Sequence, residues 1–171
     1  MNIETSSLSE KTIAVAGPES GPSWFSDILV LVKLRVNILV VATAFVGFAL
    51  HASIRSDWFL LLQTMLGTGL VAGGAAAANQ TLEWRFDRDM VRTQNRPLAA
   101  GRFRRRTGIL VSGLFLASGC LWLGAAVNLR AMLLALLTFL IYVFAYTPLK
   151  RLTSACILVG AVAGALPVLI G

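Results

Sequence analysis

An all-α bundle of membrane-spanning helices is the fold this sequence predicts, and three observations predict it. Of 171 residues, 57% are hydrophobic and only 13% charged, where a soluble domain carries roughly 25% charged residues. The apolar residues fall into five long runs on the scale of the ~20 residues a helix needs to cross a bilayer. The net charge of +7 is also unevenly placed, with eight of the fifteen lysines and arginines between Arg85 and Arg106. Basic residues that border apolar runs set orientation in a membrane, so the excess reads as topology rather than as a nucleic-acid footprint. The length allows one domain.

Residues 1–22 are polar, contain Glu4, Glu10 and Glu19, and lack the apolar stretch of a secretory signal. They are expected to form a disordered cytoplasmic tail ahead of a membrane domain over residues 23–171. An amphipathic lead-in with Trp24, Phe25, Ile28 and Leu29 enters the first span, Val36 to Leu50. The second runs from Trp58 to Ala78, the third from Thr107 to Val127 and the fourth from Ala131 to Tyr146; the fifth starts near Ala155 and is still apolar at Gly171. The connections alternate between rich and poor in basic residues: Lys33 and Arg35, then one arginine, then the eight, then Arg130, then Lys150 and Arg151. The positive-inside rule therefore expects the N-terminus, the Arg85–Arg106 loop and the Lys150–Arg151 loop in the cytoplasm. Gly69 with Gly73, and Gly160 with Gly164, have the spacing that lets helices approach closely, and a gap for a ligand is the other use of such residues. Cys120 and Cys156 lie in apolar runs with no partner motif and read as small packing residues.

The chemistry concentrates where the second span runs on into polar sequence. Asn79, Glu83 and Asp87 recur at i, i+4 and i+8. Each step of four turns a helix by about 400°, so their oxygens stack on one face, while Asp89 lies off it. Stacked carboxylates beside a membrane need cationic neutralisation. A hard divalent ion such as Mg²⁺, held by one or two carboxylates and substrate phosphates, supplies it; salt bridges to nearby arginines are the competing answer. Arg92 and Arg96 follow in a turn ordered by Pro97, and arginine suits bidentate phosphate binding. Arg102, Arg104, Arg105 and Arg106 abut the third span and read as an orientation anchor. After the fourth span, Pro148 is expected to break the helix, and Tyr146, Lys150 and Arg151 lie on the same side as the acidic face. They either join that site or serve as an interfacial tyrosine with two orientation charges.

The pattern Asn79-x-x-x-Glu83-x-x-x-Asp87, followed by Arg92-Thr93-x-x-Arg96-Pro97-Leu98-x-x-Gly101-Arg102, resembles the first motif of the intramembrane aromatic prenyltransferases, the UbiA superfamily. Tyr146-Thr147-Pro148-Leu149-Lys150-Arg151-x-Thr153, with Val159-Gly160-Ala161 and Gly164-Ala165-Leu166-Pro167, resembles its haem-farnesylating branch, the protohaem IX farnesyltransferases. Lys33-x-Arg35 also fits, with Leu34 where that branch usually has proline. The resemblance runs from about Trp24 to Gly171.

It implies a helical bundle of roughly nine spans around a cavity, in a bacterial inner membrane, that moves a farnesyl group from farnesyl diphosphate to haem b, giving haem O. It implies Mg²⁺ held by Asn79, Glu83 and Asp87. Arg92, Arg96, Lys150 and Arg151 would lie on the diphosphate, and Tyr146 would steady the leaving group or the allylic cation. The family also has a second Asp-rich motif between later spans. No Asp or Glu follows Asp89 here, so the chain is expected to be the N-terminal half of such an enzyme, poorly active alone. Two alternatives stand beside this reading: a quinone- or lipid-pathway prenyltransferase, against which Gln80 and the Tyr146–Thr153 segment argue, and an inactive truncated membrane protein. His51, imaginable as a haem ligand, falls on the outer side by this topology and reads as interfacial.

Overall fold

The computed structural model describes residues 23–51 and 54–171, with side chains omitted from 51 to 56. The tail expected over 1–22 and the side chain of His51 lie outside the described residues.

The first helix, α1 (Trp24–Leu31), starts where Ser23 Oγ accepts a hydrogen bond from Ser26 N at 3.2 Å, an N-cap that satisfies one of the orphan donors of the first turn. It ends at Lys33, which takes a left-handed backbone with φ 50°. The chain bends by 48° there and continues as α2 (Leu34–His51). Then α3 (Ile54–Asp89) breaks from helical geometry only at Asp57 and runs unbroken from there to Asp89, 33 residues. At 1.5 Å per residue that is about 50 Å, against ~30 Å of bilayer hydrocarbon. The last turns, which bear Asn79 to Asp87, are therefore a rigid extension of a spanning helix, as the sequence led one to expect.

Helix α4 (Arg105–Ala126) returns antiparallel to α3, and Asn128 caps α5 (Leu129–Leu140) by accepting from Ala131 N at 2.7 Å. The helix then widens into a π-helical segment, Ile141–Tyr146, and closes with a final turn, α6 (Thr147–Leu149). Here the expectation for Pro148 is corrected: the helix does not break at it but ends beyond it, at Leu149. The π segment explains why. A proline removes one N–H and crowds the preceding turn, and a widened turn absorbs both, with Thr147 hydrogen-bonded back to Tyr142 O through its N–H and its Oγ1. The last helix is α7 (Cys156–Ile170).

Among the described residues three helices are long and apolar enough to cross a membrane (Asp57–Asp89, Arg105–Ala126, Leu129–Leu149), and a fourth span is added if the bent pair α1–α2 counts as one. Helix α7 is apolar but has only 15 residues. The expected five spans thus resolve into three full helices, one bent pair and one short helix. Half of the α3 span window is buried, against 17% for α4 and 22% for Leu129–Leu149, so α3 is the central post. The outer face of α4, with Ile109, Leu110, Leu114 and Leu121 exposed, is apolar as a lipid-facing surface must be.

Small residues set the helix approaches, and of the two expected pairs Gly69, Gly73 and Gly160 make tight side-chain contacts while backbone-to-backbone contacts fall at other glycines. A Cβ on Gly74 would sit 3.0 Å from Leu116 N and Ser112 O, and one on Gly119 would sit 2.8 Å from Val71 N, so α3 and α4 meet backbone to backbone at these glycines. Gly73 of the predicted pair touches α2 and α4 only through Asn37 and Phe115 side chains. Of the second pair, Gly160 lies against the Tyr146 ring, while Gly164 has nothing within 4 Å and faces a cavity.

Candidate active site

The polar end of α3 forms a buried stripe. Asn79 is 1% exposed, Glu83 4% and Asp87 6%, while Asp89 is exposed as its register requires. Asn79 Nδ2 donates to Glu83 Oε2 at 2.7 Å, one turn along the same face. The Thr93 hydroxyl donates to Asp87 O at 2.9 Å and turns the chain back over the helix end. Gly101 completes the returning loop at φ +75°, a left-handed position that glycine occupies without penalty. Leu98 and Phe103 of that loop pack with Leu31 and Ala77, so the loop is a folded lid on the helix end.

Both carboxylates face cations. Lys150 Nζ lies 2.5 Å from Glu83 Oε1, with Arg151 Nη2 at 3.6 Å. Arg96 Nη1 donates to Asp87 Oδ2 at 2.7 Å. The salt-bridge reading of these acids is therefore the one the structure shows. Of the residues read as diphosphate-binding, Arg96, Lys150 and Arg151 converge on the stripe, and Arg151 also stacks over Phe86 at 3.6 Å to the ring centroid. Arg92 does not converge: it stands exposed in the turn, without an ion pair among the described residues.

Arg102 departs from its neighbours. It grips Asp27 with two bonds, Nε to Oδ2 and Nη2 to Oδ1, both 2.8 Å, and so ties α1 to the loop. Those bonds raise its pKa further above the ordinary arginine value. Arg104, Arg105 and Arg106 are exposed, as an orientation anchor would be.

Below the stripe a cavity of about 450 Å³ opens between α2, α3, the α5–π segment and α7. Its walls are mostly small or apolar, including Val40, Ala72, Ala75, Ala135, Gly164 and Pro167. Its polar residues include Lys33, Asn37, Tyr142 and Tyr146. Tyr142 and Tyr146 stack at 5.3 Å between ring centroids with 16° between planes. The volume lies in the range of small-molecule sites.

The stripe also fits a hard cation. Asn79 Oδ1 is buried with no hydrogen-bond partner, directly beside the Glu83 carboxylate. Two carboxylates and an amide oxygen on one face are the donor chemistry Mg²⁺ accepts when substrate phosphates complete its shell. No cluster of three His, Cys, Asp or Glu is found among the described residues, so the phosphate share is needed.

Sequence reasoning found the stripe and the basic segment after α5 but assigned no site role to Lys33, Asn37 or Tyr142. Lys33 was visible as a basic residue at the entry to a span and as part of the Lys33-x-Arg35 fit to the family pattern, with no role attached. Tyr142 stands four residues before Tyr146, a helical neighbour spacing that could have linked the two.

A family model described as the UbiA prenyltransferase family matches residues 40–171. The chain is 38% identical, over 96% of its own length and 54% of the relative's, to a protoheme IX farnesyltransferase of Koribacter versatilis. It is 46% identical to one of Salinibacter ruber, over 85% of this chain and 51% of that protein. It is 39% identical to the human mitochondrial protoheme IX farnesyltransferase, over 82% of this chain and 32% of that protein. The chain thus spans about half the length of the bacterial relatives. No solved structure matches it.

Proposed function

The chain belongs to the UbiA prenyltransferase family, and on that footing we propose that it serves to transfer a farnesyl group from farnesyl diphosphate to haem b, giving haem O, in a bacterial inner membrane with its N-terminus in the cytoplasm. The observation that carries this reading is the junction of two chemistries in one place. A buried acid stripe ringed by Arg96, Lys150 and Arg151 adjoins a mostly apolar cavity whose polar residues include Lys33, Asn37 and the two stacked tyrosines. That is the division a prenyl diphosphate has in itself, an anionic head and a hydrocarbon tail.

In this reading Asn79, Glu83 and Asp87 would hold Mg²⁺, and the chemistry such an ion would supply is neutralisation of the charge on the leaving diphosphate. Arg96, Lys150 and Arg151 release the carboxylates and donate to phosphate oxygens, where arginine offers a bidentate fork. The apolar walls keep water from the allylic carbon as its bond to the diphosphate oxygen breaks and its bond to the haem vinyl carbon forms; diphosphate leaves, and one water adds at the other vinyl carbon with loss of a proton to give the hydroxyl of haem O. The Tyr146 ring, backed by Tyr142, offers a π face to the positive charge that develops there. Relatives of about twice this length are named protoheme IX farnesyltransferases, and the second acidic motif that the family resemblance implies would complete the site.

The test is haem extraction from membranes of cells that lack their own haem-farnesylating activity and express the full-length gene. Accumulation of haem O supports the proposal; haem B alone, with the protein present in the membrane, sinks it. Asp87→Asn removes one carboxylate and leaves Arg96 unpaired. Since metal-assisted charge stabilisation is worth several kcal/mol, turnover should fall by at least ~100-fold at unchanged expression. Full activity in that variant would refute the metal assignment. Replacing haem with a hydroxybenzoate acceptor tests the quinone-pathway alternative directly.

A further inference from the structure

Lys33 is the only non-glycine residue with a left-handed backbone among the described residues. An L-residue with a long side chain stays in that conformation only where its surroundings dictate it. Here they do. Gln80, 1% exposed, donates its Nε2 to Val30 O and to Leu31 O, each at 2.8 Å. Asn37 Nδ2 donates to Val32 O at 3.2 Å. The three carbonyls that precede Lys33 are thus held by two buried amides, one from α3 and one from α2. One turn earlier, Asp27 is locked by Arg102.

What the turn delivers is the Lys33 side chain. It lines the cavity together with Tyr146 and lies within electrostatic reach of Arg96, Lys150, Glu83 and Asp87. Both acids already have their own cations, and Lys33 takes part in none of the ion pairs among the described residues. A third cation brought among two others is unfavourable until an anion of higher charge joins them.

We propose that Gln80, supported by Asn37, is a positioning residue: it holds the Val30–Lys33 turn in the left-handed form that presents the Lys33 ammonium to the diphosphate of the prenyl donor. This rests on the prenyl-diphosphate reading above. The bland alternative is that Gln80 only satisfies orphan carbonyls at the end of α1. The two differ in one measurable respect: a positioning residue acts through Lys33, and a cap does not.

The experiment is a double-mutant cycle on the purified product of the gene in detergent. Calorimetry reads the affinity for inorganic diphosphate in the presence of Mg²⁺, and KM and kcat are measured for farnesyl diphosphate with haem b. Gln80→Met keeps the side-chain volume and removes both donors. Lys33→Asn removes the ammonium and keeps a residue that tolerates the left-handed backbone. Each is expected to weaken diphosphate binding and raise KM by about tenfold, the weight of one charge-assisted hydrogen bond, with kcat changed less than about threefold. In the Lys33→Asn background, Gln80→Met should add less than about twofold. Lys33→Arg should restore affinity to within about threefold.

Additive losses, about 100-fold in the double variant, would reduce Gln80 to a cap and overturn the proposal. So would a Lys33→Asn protein that binds diphosphate as the parent does. If Gln80→Met does not fold, Asn37→Leu replaces it in the same cycle with the same expectation. Asp87→Asn in the same titration separates the two levels. A parent that does not bind diphosphate, or an Asp87→Asn protein that binds it equally well, brings down the prenyl-diphosphate reading and this proposal with it. If both controls behave as expected and Lys33→Asn has no effect, only this proposal falls.

Discussion

At the scale of single residues, the Asp27–Arg102 clamp shows how a charge can be mistaken for an orientation signal. Arg102 stands in a run of arginines, but Asp27 is buried and its carboxylate has no other partner among the described residues. Arg102→Ala leaves that charge buried and unpaired. Breaking a fully buried pair costs about 3–5 kcal/mol, and since a third of the arginine side chain is exposed the expected loss is about 2 kcal/mol in a denaturant titration in micelles. Arg104→Ala, exposed and with no ion pair among the described residues, should change stability by less than ~0.5 kcal/mol. Gly101→Ala isolates backbone strain, because nothing lies within 4 Å of its would-be Cβ. It should cost about 1 kcal/mol from the left-handed φ alone. The periodic stripe of Asn79, Glu83 and Asp87 was legible in the sequence because helical spacing is a local rule. That Lys150 and Arg151 would lie on Glu83, 67 and 68 positions away by residue number, was readable only as a shared side of the membrane, since such pairing is decided by how α3 and the α5–π segment dock.

Among elements, the contact between α3 and α4 depends on residues that no simple motif marked. Gly74 and Gly119 let the two backbones touch, and a Cβ on Gly119 would sit 3.0 Å from Gly67 O as well as close to Val71 N. Backbone cannot swing aside as a side chain can, so Gly119→Ala should destabilise the bundle by about 1–3 kcal/mol, the range for overpacking. Gly164→Ala, facing the cavity, should leave stability unchanged within error. Thermal unfolding of both in the same detergent checks the contrast, and equal shifts would contradict the assignment of Gly119 to a helix interface. The pattern Gly-x-x-x-Gly was visible at Gly69–Gly73, but spacing identifies a small face without saying which neighbour it meets. The π segment before Pro148 was equally hidden. A proline reads as a break in sequence, and only the surrounding packing decides whether the helix stops or widens.

For the whole molecule, hydropathy and charge fixed the class: long apolar runs, few charges and basic loops left few options besides a helical membrane bundle. The proposed orientation is testable at this scale. With Cys120 and Cys156 replaced, a cysteine at Gln94 should react with a membrane-impermeant maleimide only when the cytoplasmic face is open; labelling from outside would invert the topology. The pairing of acids with bases at the end of α3 has a consequence for what the site selects. Both carboxylates there are already paired, Glu83 with Lys150 and Arg151 and Asp87 with Arg96, so the pocket behaves like a closed ion exchanger. A lone cation could bind Glu83 and Asp87 only by stranding Lys150 and Arg96, and a lone anion could bind those two only by stranding the carboxylates. A ligand that brings both signs together strands neither. On the proposed reading, the protein recognises a neutralised pair and leaves its separate halves in solution, an AND gate made from ordinary salt bridges.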